Sequence, residues 1–273
     1  MGMHQQFLRG LTHHMDEYVH YTLETDTSEA SLNNAIGDTI SISHSGLKQC
    51  VHCGRKVKKI YNSGYCYPCL TTLAECDLCI VKPHECHHHL GTCRDDEFAD
   101  QHCMIPHFVY LAYSSHVKVG LTRKGRQFTR WVDQGASAAI LVAEVPTRKQ
   151  AGELEVEIGT FLSDKTDWRK MLTTELDENM DEKLRQVKQE VFQRVSAKWE
   201  PHLLQDEDTV HHFIYPRQEG FSPKLTSLSL DKTPQVEGVL RGIKGQYLLF
   251  DHGVFNVKKH AGYGVEFKVV AYS

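Results

Sequence analysis

The spacing of apolar positions separates the chain into segments of different period. Residues 18–23 (Tyr-Val-His-Tyr-Thr-Leu) and 39–43, which alternate around Ile40 and Ile42, repeat every two positions as half-buried strands do. Strand-like runs return at 108–113, 117–121 and 138–145, the last closed by Pro146. After that proline the period lengthens. With Thr147 as N-cap, Ala151, Leu154, Ile158 and Phe161 or Leu162 fall on one side of a helix over 147–162. A longer helix is predicted next, because Leu176, Met180, Leu184, Val187, Val191, Val195 and Trp199 are spaced by threes and fours up to Pro201. Residues 202–224, with Pro216, Gly220 and Pro223, read as a linker. The tail returns to short strand candidates at 225–229, 236–243, 246–251, 254–258 and 265–271, divided by Gly245, Gly253 and the turn Gly262-Tyr263-Gly264.

Residues 49–107 fit neither pattern. They hold all nine cysteines of the chain and many of its 18 histidines but few aliphatic side chains, so something other than an apolar core must fold them. The order Cys50-x2-Cys53, twelve residues, Cys66-x2-Cys69 is the spacing at which two knuckles aim four sulfurs at one tetrahedral site, and Gly54 lets the backbone turn after the first. A structural zinc ion is expected there. Five cysteines remain: Cys76 and Cys79 as a third C-x2-C, then Cys86, Cys93 and Cys103, with His84, His87, His88, His89, His102 and His107 nearby. They predict a second zinc site led by Cys76, Cys79, Cys93 and either Cys86 or Cys103.

Composition narrows the setting. With 31 Lys+Arg against 35 Asp+Glu and a net charge of -4, the chain as a whole is no polycation, so any nucleic-acid surface must be local. No apolar run approaches the length of a membrane span, and the first ten residues lack the basic and apolar regions of a secretory signal. A cytoplasmic location is expected, where thiols stay reduced and an odd number of cysteines serves metal ligation better than disulfides.

Within residues 108–169, Val109-Tyr110-Leu111 is followed by Lys118-Val119-Gly120-Leu121-Thr122, by Arg123, Lys124, Arg126 and Arg130, and by a helix bearing Glu155. This order resembles a GIY-YIG nuclease core. The resemblance implies that Tyr110 matches the first-motif tyrosine, Gly120 the second-motif glycine, Arg126 or Arg130 the arginine, and Glu155 the Mg²⁺-binding glutamate. Asp167 stands where such cores often place an asparagine. The pattern departs at Phe108-Val109, which replaces the glycine and isoleucine of the first motif, and at Lys118, which replaces the second-motif tyrosine. Across its length the chain, with Gly91-Thr-Cys-Arg94, Arg130-Trp-Val-Asp-Gln-Gly-Ala136 and Gly242-Ile-Lys-Gly-Gln-Tyr247, also resembles a bacterial family of unknown function.

Together these features predict an α+β protein. Its expected parts are an N-terminal β segment (1–47), a zinc-ribbon-like block (48–107), a GIY-YIG-like core with a long helix (108–201), a linker (202–224) and a C-terminal β segment (225–273) that packs with the first. The expected function is a Mg²⁺-dependent endonuclease, in which Tyr110 or a metal-bound hydroxide activates water, Arg126 or Arg130 stabilises developing charge and Glu155 holds the metal. Lys118, Arg123, Lys124, Arg148 and Arg169 would contact phosphates. The competing expectations are a non-catalytic nucleic-acid-binding module, using Arg55, Lys56, Lys58 and Lys59, and a zinc-held protein adaptor.

Overall fold

The structure is a computed structural model that describes residues 6–162, 167–174 and 177–270. The chain divides into two compact units, Met1–Thr71 with Ile214–Ser273, and Thr72–Phe213.

The first unit opens with strands β1 (Gln6–Met15), β2 (Val19–Thr25), β3 (Glu29–Ser31), β4 (Thr39–Gln49) and β5 (Lys56–Val57), then helix α1 (Tyr67–Thr72). The second contains α2 (Leu78–Val81), α3 (Asp96–His102), β6 (His107–Tyr113), β7 (Val117–Arg123), α4 (Gln127–Asp133), β8 (Ala138–Val145), α5 (Arg148–Gly159), α6 (Trp168–Thr173), α7 (Met180–Arg194) and β9 (His211–His212). The chain then returns to the first unit with β10 (Ser227–Leu228), β11 (Gln235–Lys244), β12 (Tyr247–Phe250), β13 (Val254–Asn256) and β14 (Tyr263–Val270). This is a mixed α+β architecture.

One sheet organises the first unit, in the order β10-β13-β12-β11-β4-β14-β1-β2-β3, with β5 also paired to β4. The C-terminal strand β14 lies antiparallel between β4 and β1, so the two ends of the chain share a sheet. Alternation explains β2, where Val19, Tyr21 and Leu23 are buried in turn. It is hidden in β1, where the adjacent Phe7 and Leu8 are both buried and a register shift between Leu8 and Gly10 interrupts the alternation beyond them.

The second unit is built on a four-stranded sheet, β7-β6-β8-β9. Its middle strand β6 is buried along its whole length, as expected of a strand covered on both sides. Val109, Leu111 and Tyr113 join a core with Ala151, Leu154 and Ile158 of α5 and Leu184 and Val191 of α7. The intervening Tyr110 packs edge-on against Trp131 of α4, which also meets Phe128, His211 and Phe213. Trp131 is thus a core residue with no exposed surface.

The longest predicted helix is shorter than its apolar period. Leu176 lies outside the described residues, and α7 ends at Arg194. Val195 is extended, and the Ser196 amide donates to the Glu157 carboxylate at 2.5 Å. A 3₁₀ turn, Ala197–His202, then carries Pro201. Trp199 in this turn still reaches the α7 core, its indole N–H donating to Glu157 at 2.8 Å, so the period runs through two elements.

Candidate functional site

Four thiols meet in the first unit. Cys50 and Cys53 follow β4 in a tight turn, Cys66 precedes α1, and Cys69 lies within it. Gly54, at φ 70°, closes the first turn by donating its N–H to the Cys50 carbonyl at 3.0 Å. Strand β5 folds back on β4, pairing Lys48 with Val57 and Gln49 with Lys56. The Val51 amide reaches the Gly64 carbonyl at 2.8 Å, tying the first knuckle to the loop before the second.

The four sulfurs lie within 4.8 Å of one another, and the Cys53 and Cys66 sulfurs are 3.7 Å apart. Tetrahedral zinc with bonds of about 2.3 Å has sulfur–sulfur edges of about 3.8 Å, well beyond the ~2.05 Å of a disulfide. The donor set therefore fits a tetrahedral thiolate metal site. Burial pushes the Cys50 thiol up, but the amides of Cys53, Cys66 and His52 and the Cys53 thiol outweigh it and hold it at about 6. Burial and the neighbouring thiols push Cys69 up instead. One surface beside these knuckles is cationic: Arg55, Lys56, Lys58 and Lys59 are all exposed, and the Lys59 ammonium stands 4.8 Å from the centre of the Tyr61 ring.

The remaining five cysteines do not group as the spacing predicts. Cys79, Cys86, Cys93 and Cys103 line one small cavity, whereas Cys76 is not among its lining residues. The third C-x2-C is split between two elements, with Cys76 ending a 3₁₀ turn (Ala74–Cys76) and Cys79 inside α2. It is not a knuckle. Donor atoms of Asp77, Cys79 and His87 also approach within 4.8 Å of one another.

In the second unit Tyr110 is fully buried opposite Gly120. Its hydroxyl donates to the Gln134 side-chain carbonyl at 2.9 Å. Burial pushes the phenol up to about 12; hydrogen bonding and charge from Arg130 oppose the rise, and the charge of Glu155 adds to it. Of the predicted site residues, Arg130 and Glu155 are thus the two whose charges act on the Tyr110 hydroxyl. Arg126 is exposed at the N-terminal end of α4 and is not among the groups that act on this hydroxyl. A phenol held this way keeps its proton at neutral pH and serves as a donor, which is the opposite of the water-activating role expected of Tyr110.

The other predicted cations are distributed differently. Lys118 is buried, with 3% exposure. Arg123 is half-buried, and the exposed Lys124 is paired with Glu144 at 2.7 Å. Arg169 lies over the Trp168 ring, 4.4 Å from its centre, and Asp167 caps α6 by accepting from the Arg169 amide at 2.9 Å. Arg148 points to the cysteine-lined segment, donating to the Ile80 carbonyl at 2.6 Å. Gln134 is the residue at this site that sequence reasoning missed; its only sequence signal was its place in the Arg130–Ala136 run.

The fold and the thiolate cluster define an α+β protein with a cysteine-built metal-type site. The sequence model of a family described as "Protein of unknown function (DUF2797)" matches residues 37–265, and the chain belongs to that family. Searches among curated proteins and among solved structures found no match. Among the described residues, no helix is long and apolar enough to cross a membrane.

Proposed function

We propose that this is a zinc-stapled protein acting on nucleic acid, with a phosphodiester-cleaving site around Arg130 and Glu155. The observation that carries the reading is that the charges of Arg130 and Glu155 both act on the buried Tyr110 hydroxyl, which Gln134 holds. A cation and a carboxylate acting on one site are what phosphodiester hydrolysis requires: Arg130 to stabilise charge developing on the phosphate, and Glu155 as a protein ligand for Mg²⁺. Mg²⁺ is commonly held by one or two carboxylates together with substrate phosphates, so a single half-buried glutamate fits it. The bound ion would supply Lewis-acid polarisation of a phosphate oxygen. Tyr110 positions Arg130 through its hydroxyl and is itself held by Gln134. Zinc at Cys50, Cys53, Cys66 and Cys69 holds the ribbon, which presents Arg55, Lys56, Lys58 and Lys59 to the substrate backbone.

The test is cleavage of single-stranded, duplex and structured DNA and RNA in Mg²⁺ or Mn²⁺ by the full chain. Cleavage by the wild type, lost in Glu155→Gln and Arg130→Ala with zinc content unchanged, is the expected result. A non-catalytic binding module is the second reading, favoured by the complete burial of Tyr110. Salt-sensitive binding without cleavage, indifferent to Glu155→Gln, would establish it and overturn the nuclease.

A further inference from the structure

A second convergence of donor atoms lies in the second unit, and it mixes three chemistries. Asp77 stands just before α2, Cys79 lies within that helix, and His87 precedes the 3₁₀ turn His88–Leu90. Their carboxylate, thiol and imidazole donors lie within 4.8 Å of one another. The neighbouring cysteines do not share this arrangement. Cys86, Cys93 and Cys103 line the same cavity but, among the described residues, belong to no group of three donors this close.

The surrounding bonds turn two of these donors toward each other. Asp77 occupies the N-cap of α2, where a carboxylate ordinarily accepts from the first helical amides, yet its side chain caps none of them. Its Oδ2 instead meets the Arg94 Nε at 2.7 Å, and Arg94 is braced on the Leu73 carbonyl at 3.0 Å. Oδ1 faces the His87 Nε2 at 3.6 Å, too far for a hydrogen bond. On the other side of the ring, Nδ1 lies 2.8 Å from the Thr92 hydroxyl, which lies 3.2 Å from the His87 carbonyl. Both bonds form together when Nδ1–H donates to Thr92 and the hydroxyl donates to the carbonyl, and this tautomer leaves Nε2 a bare lone pair. A lone pair and a carboxylate oxygen held face to face repel unless a cation lies between them. Their separation is close to the edge of about 3.4 Å in a tetrahedron with metal bonds of about 2.0–2.1 Å.

We propose that Asp77 Oδ1, Cys79 Sγ and His87 Nε2 hold a zinc ion through three protein ligands, with a water molecule in the fourth position. Carboxylate oxygen, thiolate sulfur and imidazole nitrogen are all zinc donors, and a site with three protein ligands keeps one position open. The cavity that the three residues line has a volume of ≈ 20 Å³, room for about one water molecule and not for an organic ligand. One carboxylate and one thiolate balance the divalent charge. Arg94 and Thr92 are the outer partners that orient the carboxylate and the imidazole. The ion ties α2 to the turn that leads into α3, in a segment where no helical element exceeds seven residues and none is stable by itself. The inference goes beyond the proposed cleavage site and the ribbon and stands without either.

The test is elemental analysis and zinc-edge X-ray absorption of the full chain purified without chelator. With the ribbon filled, two ions per chain and an average of about two to three sulfurs per zinc are expected, since four thiolates serve one ion and one thiolate the other. His87→Ala and Cys79→Ser should each leave a single ion with about four sulfurs, whereas Cys93→Ser should keep both ions. Thr92→Val should weaken zinc binding at this site about 10–100-fold in competition with a chromophoric chelator. One zinc per wild-type chain in a shell of four sulfurs overturns the site, as does retention of both ions in His87→Ala. Two ions averaging four sulfurs, or an ion lost in Cys93→Ser, overturn the ligand set, and unchanged affinity in Thr92→Val overturns the orienting role of that hydroxyl. A single ion with about one sulfur would support this site and refute the ribbon. Should His87→Ala fail to fold, the wild-type count and sulfur number decide.

Discussion

Tyr110 and Gly120 face each other across β6 and β7, and the tyrosine ring occupies the space that a side chain at Gly120 would need. A Cβ at Gly120 would lie 2.6 Å from the Tyr110 hydroxyl and 2.7 Å from Cζ. The ring cannot withdraw easily, because it is fully buried against Trp131 with its hydroxyl tied to Gln134. Gly120→Ala is therefore expected to destabilise the second unit by about 1–3 kcal/mol through overpacking. Denaturant unfolding followed by fluorescence of the buried Trp131 measures it, and a change within error would mean that the ring moves aside freely.

Helix α5 supplies a sharper comparison, since two glycines in one helix should respond with opposite signs. Alanine is favoured over glycine inside a helix by about 1 kcal/mol. At Gly159 nothing lies within 4 Å of an added Cβ, so Gly159→Ala should be neutral or stabilising by up to about that amount. At Gly152 the added atom meets the Pro83 and His84 backbone at 2.6–2.8 Å. Gly152→Ala should destabilise by about 1–3 kcal/mol despite better propensity. Equal effects at the two positions would show that α5 is not seated on the cysteine-rich segment as described.

These glycines mark the border of what the sequence reveals. Short-range devices are legible: the paired C-x2-C knuckles, the alternation in β2, and the Thr147 N-cap, whose hydroxyl accepts from the Gln150 amide. Signals that depend on a distant partner are not. The bulge in β1 interrupts its alternation, and α3 starts on the Asp95 cap without an apolar stripe, burying Ala99 alone. Nothing local pairs Tyr110 with Gln134, 24 residues away. Nor does spacing separate Cys76 from the other cysteines, because a 3₁₀ turn and an α-helix divide its C-x2-C. Arg148 reads as a phosphate contact by charge, yet it is largely buried and its guanidinium donates to the Ile80 carbonyl.

Removal of the zinc proposed for the ribbon should unfold the segment around Cys50–Cys69. Few aliphatic side chains are available there, and structural zinc contributes an apparent ~10–16 kcal/mol to such folds. Cys66→Ser is expected to lose one metal ion and to expose residues 50–71 to protease, while the core around Trp131 and Leu154 keeps its protection. Persistence of the ribbon's resistance in a metal-depleted chain would show that its hydrogen bonds suffice.

His107 gives the second unit a pH-dependent weakness. It has 1% exposure, its Nδ1–H donates to the Ile105 carbonyl at 2.8 Å, and its Nε2 has no hydrogen-bond partner among the described residues. Burial, with added repulsion from Arg148 and Arg123, lowers its pKa to about 4, against 6.5 for the free group. The native state thus binds fewer protons than the unfolded state between these values, so this contribution is intact above pH ~6.5 and declines toward pH ~4. The fall in melting temperature between pH 7 and 5 should be smaller in His107→Gln, which cannot titrate. Comparing the two at equal zinc content removes the effect of acid on the thiolates, and parallel curves would dismiss His107 as the cause.

The cations beside the ribbon and the carboxylate of the second unit make separable contributions to the proposed function. Arg55, Lys56, Lys58 and Lys59 are exposed, so each one that touches a phosphate should release about 0.7–0.9 counterions on binding. Replacing all four by glutamine is expected to flatten the slope of log affinity against log salt by about 3 and to weaken binding to every sequence alike. Glu155→Gln should leave that slope unchanged, because a carboxylate releases no phosphate counterion, while abolishing cleavage. A fluorescence-anisotropy titration across salt concentrations reads both. If the quadruple variant keeps the wild-type slope, the ribbon is not the nucleic-acid surface; if Glu155→Gln alone changes it, the carboxylate acts in binding and the nuclease assignment loses its support.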